Sequence, residues 1–165
     1  MFSIGNFVES NKNSVDNLVA RQPINSEMEN ISRSFEQIEK DCAGQEQLQE
    51  YLEELRSYCY QYTEIVLQFS QLFEDNASGK ISEEEYKSSY ANIDAARSIV
   101  HDATIDAFNI LSRLMAKNGK NNDWVKPLAQ GGRIAYGNFA IKKTILDIIE
   151  FNKNNNKHDR NDANG

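Results

Sequence analysis

Residues 45–76 read QEQLQEYLEELRSYCYQYTEIVLQFSQLFEDN, a stretch that contains neither glycine nor proline. Apolar side chains recur in it at alternating spacings of four and three, which is the pattern of a helix seam that faces another helix. The seam consists of Leu48, Leu52, Leu55, Cys59, Tyr62, Val66, Phe69 and Phe73. A flanking stripe consists of Tyr51, Tyr58, Ile65 and Leu72. The stretch therefore predicts one unbroken helix, about 48 Å long, with more than one neighbour.

A second long helix is predicted over 82–117, after a turn that contains Gly79. Ser82 and Glu85 have the spacing of a capping box, which marks the first turn of a helix. The apolar positions again alternate three and four, with alanine in the middle, and consist of Ile93, Ala96, Val100, Ala103, Ala107, Ile110 and Leu114. Because long helices joined by a short turn return antiparallel, we expect a hairpin in which this alanine-rich seam packs against the rings of the first helix.

Three further helical segments are predicted, over 3–21, 24–43 and 134–151. A second capping box, Ser26 with Glu29, marks the start of the middle one. Residues 152–165 are almost entirely polar and predict a disordered tail. The fold expected is all-α, an elongated bundle of about five helices built on a long antiparallel helical hairpin. We expect it to form a single domain over 1–151.

The formal net charge of −7 is unevenly distributed. Residues 1–80 carry 6 Lys/Arg against 14 Asp/Glu, and residues 81–165 carry 12 against 11. Nucleic acids and anionic membranes attract basic surfaces, so neither is an expected partner. No basic signal segment and no apolar run of about 20 residues is present, which predicts a soluble, cytoplasmic protein. Cys42 and Cys59 lie outside any C-x-x-C pair and predict reduced thiols.

The chain carries no motif for nucleophilic or acid–base catalysis, and its carboxylates are spread over solvated helix faces. We therefore expect a non-enzymatic interaction or scaffolding bundle that needs no cofactor. Its partner would be another protein or a second copy that buries part of the hairpin's wide seam. Trp124 and Arg133 flank the Gly131-Gly132 break. Their residue types are enriched in binding hot spots, so they are the predicted contact residues.

The alternative is a small-ligand-binding bundle, because the first long helix is rich in tyrosine. Tyr51, Tyr58 and Tyr62 are the predicted lining of a cavity between helices. The competing interpretation, which the sequence favours, places these rings at the boundary of the core with their hydroxyls towards water.

Residues 74–85, EDNASGKISEEE, resemble a calcium-binding loop in their spacing. Glu74, Asn76, Ser78 and Glu85 would supply the oxygen ligands, and Gly79 the sharp turn. A glycine stop followed by a capping box also explains these residues without a metal, and that interpretation is favoured.

His101 has Asp102 beside it but no Glu-x-x-His spacing, because residue 98 is a serine. The only other histidine is His158. We therefore expect no metal site and place His101 at the surface or the core boundary.

Overall fold

The computed structural model describes residues 3–21, 25–119 and 132–164, without the side chains of Glu27, Ser34, 132–136 and 157–164. The described residues form six helices and no strand, which confirms the predicted all-α bundle. The helices are α1 (Ile4–Ser10), α2 (Lys12–Arg21), α3 (Ser26–Cys42), α4 (Glu46–Ala77), α5 (Glu83–Lys117) and α6 (Gly132–Asn164).

The long helices α4 and α5 make the most extensive contact between any two described helices. Tyr62 faces His101 and Phe69 faces Tyr90, so the two helices run in opposite directions. Gly79, in the turn between them, has a φ of 74°, which is the left-handed conformation that glycine adopts without strain. The Oγ of Ser82 accepts a 3.1 Å hydrogen bond from the Glu85 N–H and caps α5. The predicted hairpin and the chemistry of its turn are confirmed.

Helices α3, α4, α5 and α6 enclose the main core. Phe139 of α6 stacks on Phe35 of α3 with ring centroids 5.0 Å apart, and Phe108 of α5 meets it edge-on at 4.9 Å. Leu55 of α4 and Cys42, the last residue of α3, are fully buried in the same cluster. This aromatic stack holds α3 and α6 against the hairpin.

A second, smaller cluster attaches α1 and α2 to the outside of α6. Phe7, Val15 and Ile148 are its buried members, and Leu67 of α4 packs against them. Helix α6 consequently contacts each of the other five described helices. It is the element that joins the N-terminal helices to the hairpin.

Two features of the N-terminal part differ from the sequence prediction: the start of α3, and the continuity of the segment 3–21. Helix α3 is capped by Asn25, whose side chain accepts a 3.0 Å hydrogen bond from the Met28 N–H, so Ser26 lies inside the helix. Asparagine is as good a cap as serine, and two adjacent candidates cannot be separated by residue type. The segment 3–21 is divided at Asn11, whose side chain donates to the Phe7 carbonyl and competes with the helical backbone.

The buried face of α5 also differs from the predicted alanine-rich seam. Ala107 is buried as predicted, but Ala96 is exposed. The buried ridge consists of His101, Thr104, Phe108, Leu111 and Met115. Helix α5 contacts α6 as well as α4, so its large side chains turn towards the core that the helices share.

Helix α6 begins at Gly132, and its backbone remains helical as far as Asn164, where the sequence analysis predicted a disordered tail over 152–165. Residues 138–164 contain no glycine or proline. The packed first part of α6 has already formed the first helical turn, which is the unfavourable step. The helix can therefore continue into the polar residues by adding one hydrogen bond per residue. Among the described helices, none has the length and apolarity that crossing a membrane requires.

Candidate interaction surface

The α4–α5 hairpin is packed along one half and open along the other. In the first half of α4, Leu48 and Leu55 are buried in the main core. Residues 68–100, all of which the structure describes, contribute to neither core cluster. Leu72 is the one buried apolar side chain within this stretch. The distal half of the hairpin therefore continues the apolar seam without the covering that its first half receives.

Four rings form a continuous group on this distal half, and we call them the distal aromatic cluster: Phe69, Phe73, Tyr86 and Tyr90. Phe69 lies 5.9 Å from Phe73 and 5.3 Å from Tyr90, measured between ring centroids. Tyr90 is 6.4 Å from Phe73 and 6.1 Å from Tyr86. Phe73 is 48% exposed and Tyr90 41% exposed, although seam rings of this size are normally covered.

Two ion pairs within α5 lie on the distal half of the hairpin. Lys87 lies 3.4 Å from Glu83, and the Nε of Arg97 donates a 2.8 Å hydrogen bond to Asp94. That hydrogen bond to Asp94 raises the pKa of Arg97. The two pairs neutralise part of the charge on residues 68–100, which carry six Asp/Glu against three Lys/Arg.

A groove of about 540 Å³ lies beside the cluster, on a neighbouring side of the hairpin. We call it the Leu72 groove. Leu72 and Ile81 supply its apolar lining. The remaining lining residues are Asp75, Glu84, Glu85, Ser88 and Ser89. No ring of the distal aromatic cluster lines it, because successive helix positions such as 72 and 73 point about 100° apart.

A buried polar network joins the middle of α4 to α6. Asp147 accepts a 2.8 Å hydrogen bond from the Tyr60 hydroxyl and forms an ion pair with Lys143. The Lys143 ammonium also lies 4.5 Å from the centre of the Phe35 ring. All three polar partners are largely buried, so the network is an internal tie between helices.

The Tyr60 phenol and the neighbouring Cys59 thiol both have raised pKa values. Burial, with the Asp147 carboxylate beside it, raises the pKa of Tyr60. Burial also raises the pKa of the Cys59 thiol to about 12, an effect that Lys143 partly opposes. A thiol and a phenol that stay protonated at neutral pH have the character of packing groups.

A cavity of about 660 Å³ opens beside the network, between α1, α4 and α6. Tyr60, Ile4 and Phe151 supply its apolar lining. Its charged lining consists of Arg56 with Glu50, Glu53, Glu54, Asp147 and Glu150. The predicted cavity residues Tyr51, Tyr58 and Tyr62 do not line it; each is partly buried against the main core.

The residues of the predicted calcium loop are divided between a helix, a turn and a second helix. Glu74 and Asn76 belong to the last turn of α4, and Glu85 to the first turn of α5. The Ser78 hydroxyl donates to the Asp75 carbonyl. A short turn with capped helices is what the structure contains here, whereas a calcium loop wraps its first ligands around the ion.

Other predicted positions have different outcomes. Trp124 lies outside the described residues, and Arg133 is described only as backbone in α6. The sequence predicts His101 at the surface or the core boundary; it is 2% exposed and faces the Tyr62 ring, so the surface alternative is wrong. Among the described residues, no group of three or more His, Cys, Asp or Glu side chains could hold a metal ion.

Sequence reasoning missed the distal aromatic cluster, although a signal for it existed. Tyr86 and Tyr90 are four residues apart, as are Phe69 and Phe73, so each pair projects from one side of its helix. Neither pair shows by itself that the hairpin extends beyond the other helices. Comparisons of the chain with protein-family models, with curated proteins and with solved structures found no match.

Proposed function

We propose that this chain is a non-enzymatic interaction protein that associates with a second copy of itself through the distal aromatic cluster. The observation that carries the proposal is the exposure of Phe73 and Tyr90 on a seam whose first half is buried. A seam of this kind is completed when another helix covers it.

The apolar area available favours association. A fully buried phenylalanine or tyrosine removes roughly 150–250 Å² from water, so covering a half-exposed ring contributes about 2 kcal/mol. A two-fold symmetric contact would bring Phe73 and Tyr90 from both copies into one interface. Two hairpins meeting in this way make a four-helix arrangement with a continuous apolar seam.

The charge pattern favours a second copy on this face. Two identical surfaces repel each other when they carry unpaired charge of one sign. Beside the cluster, Lys87 is paired with Glu83 and Arg97 with Asp94. These two pairs lower the like-charge repulsion between two copies of the distal half, whose residues 68–100 carry six Asp/Glu against three Lys/Arg.

Site-specific photocrosslinking tests this proposal on the purified full chain. Phe73 would be replaced by p-benzoylphenylalanine, and we expect irradiation to give a covalent dimer. The matched control places the same group at Ile99, which is 72% exposed and lies two and a half turns beyond Tyr90, so that it projects from the opposite side of α5. Equal dimer yield from both positions, or no dimer from position 73, would overturn self-association.

A further inference from the structure

The Leu72 groove has a different chemistry from the distal aromatic cluster, and we propose that it binds a basic amphipathic segment of another protein. Such a segment would place an apolar side chain against Leu72 and Ile81 and lysines or arginines along the rim. The inference is independent of self-association, because the two surfaces lie on neighbouring sides of the hairpin.

The lining of the groove offers apolar contact to an inserted side chain. Leu72, which is 7% exposed, and Ile81 of the turn before α5 are its two apolar lining residues. Ser88 and Ser89 of α5 also line its volume of about 540 Å³, and their side chains are small. A helix laid along the groove could place successive side chains over both α4 and α5.

The charge of the rim selects the partner. Asp75, Glu84 and Glu85 line the groove, and its lining contains no lysine or arginine. Among the ion pairs of the described residues, none includes these three carboxylates. A cationic segment would pair with them, and this charge complementarity also steers the encounter.

A second copy of the chain does not fit this groove. A symmetric contact of the groove with the same groove of a second copy would bring three more carboxylates against the first three, in a protein whose net charge is already −7. The glutamates also stabilise the start of α5 through the helix dipole. The experiment must therefore separate that local role from binding.

The probe is a fluorescein-labelled amphipathic peptide of leucine and lysine, followed by fluorescence anisotropy at low salt. We expect Glu84→Gln/Glu85→Gln to weaken binding about fivefold, the effect of losing two exposed ion pairs. The Ser82 cap is retained, because it accepts from the backbone N–H of Glu85. The matched control, Glu53→Gln/Glu54→Gln, removes the same charge from the cavity between α1, α4 and α6, and we expect unchanged affinity.

Two further measurements complete the test. A peptide with its leucines replaced by serine is expected to lose binding, because it has no apolar side chain to place against Leu72 and Ile81. The variant Phe73→Ser/Tyr90→Ser is expected to bind the peptide as the unsubstituted chain does, which separates this inference from self-association. Equal weakening by both glutamine pairs, binding that ignores the leucines, or no binding at low salt would overturn the proposal.

Discussion

The Tyr60 hydroxyl donates a 2.8 Å hydrogen bond to one carboxylate oxygen of Asp147 and thereby joins α4 to α6. The other carboxylate oxygen pairs with Lys143 one turn earlier in α6. The Asp147 side chain is 13% exposed, so both of its partners act in a poorly hydrated setting. A buried carboxylate of this kind is tolerated because it is paired and hydrogen-bonded.

We expect Lys143→Met to lower the free energy of unfolding by about 3 kcal/mol, because the Asp147 charge is then left buried without its counter-ion. Tyr60→Phe removes one neutral donor and is expected to cost about 1–2 kcal/mol. Urea unfolding followed by circular dichroism measures both. The double variant Lys143→Met/Asp147→Leu removes the stranded charge and should regain most of the loss. A double variant less stable than Lys143→Met would contradict this explanation.

Alkaline pH is expected to destabilise the fold. The Cys59 thiol has a pKa of about 12 in the folded protein against a reference value of 9.0. The contribution of this thiol to the free energy of unfolding is therefore fully present below about pH 9 and is lost as the pH rises towards 12. Between these values the loss is about 1.4 kcal/mol per pH unit. The raised pKa of Tyr60 acts with the same sign above its reference value of 10.0.

Urea unfolding at a series of pH values between about 8 and 11 checks this expectation. The matched control is Cys59→Ala, which is expected to have a lower starting stability but a shallower decline. The same steepness in both proteins would show that the Cys59 thiol does not cause the decline.

The hairpin could be predicted from sequence because its determinants are local. The seam of α4, the left-handed Gly79 and the Ser82 cap each depend on residues a few positions apart. The Tyr60–Asp147 bond could not be predicted, because it joins residues far apart in the chain. The periodicity of a helix does not show which polar residue of one helix meets which polar residue of another across a core.

The candidate surface was predicted only in its general character. The width of the seam indicated that the hairpin needs a further neighbour, and its distal half is indeed open. Which half remains open depends on where α6 packs, and this is a long-range property. His101 is buried where α5 packs against α4, and it faces the Tyr62 ring, a residue far from it in the chain.

Gly137→Ala is expected to destabilise the protein, although Gly→Ala inside a helix normally stabilises by about 1 kcal/mol. A Cβ at this position would lie 2.8 Å from the Tyr62 hydroxyl and 3.2 Å from the ring carbon that bears it. The phenol would have to move from its place against the core. Thermal unfolding of the variant measures the effect.

Gly5→Ala provides the comparison for that measurement, because a Cβ there meets Phe151 at an ordinary 3.7 Å. We expect this variant to be at least as stable as the unsubstituted chain. Combining Gly137→Ala with Tyr62→Leu should remove the clash and lessen the penalty of the alanine. A penalty that persists unchanged in the Tyr62→Leu background would exclude the phenol as its cause.

Sedimentation equilibrium of the full chain tests the central claim most directly. The account predicts a mass approaching twice 18.8 kDa as concentration rises. It predicts the mass of a single chain for Phe73→Ser/Tyr90→Ser, and unchanged association for the exposed control Ile99→Ser. A single-chain mass for the unsubstituted protein at every concentration, or association that survives the loss of Phe73 and Tyr90, would contradict it.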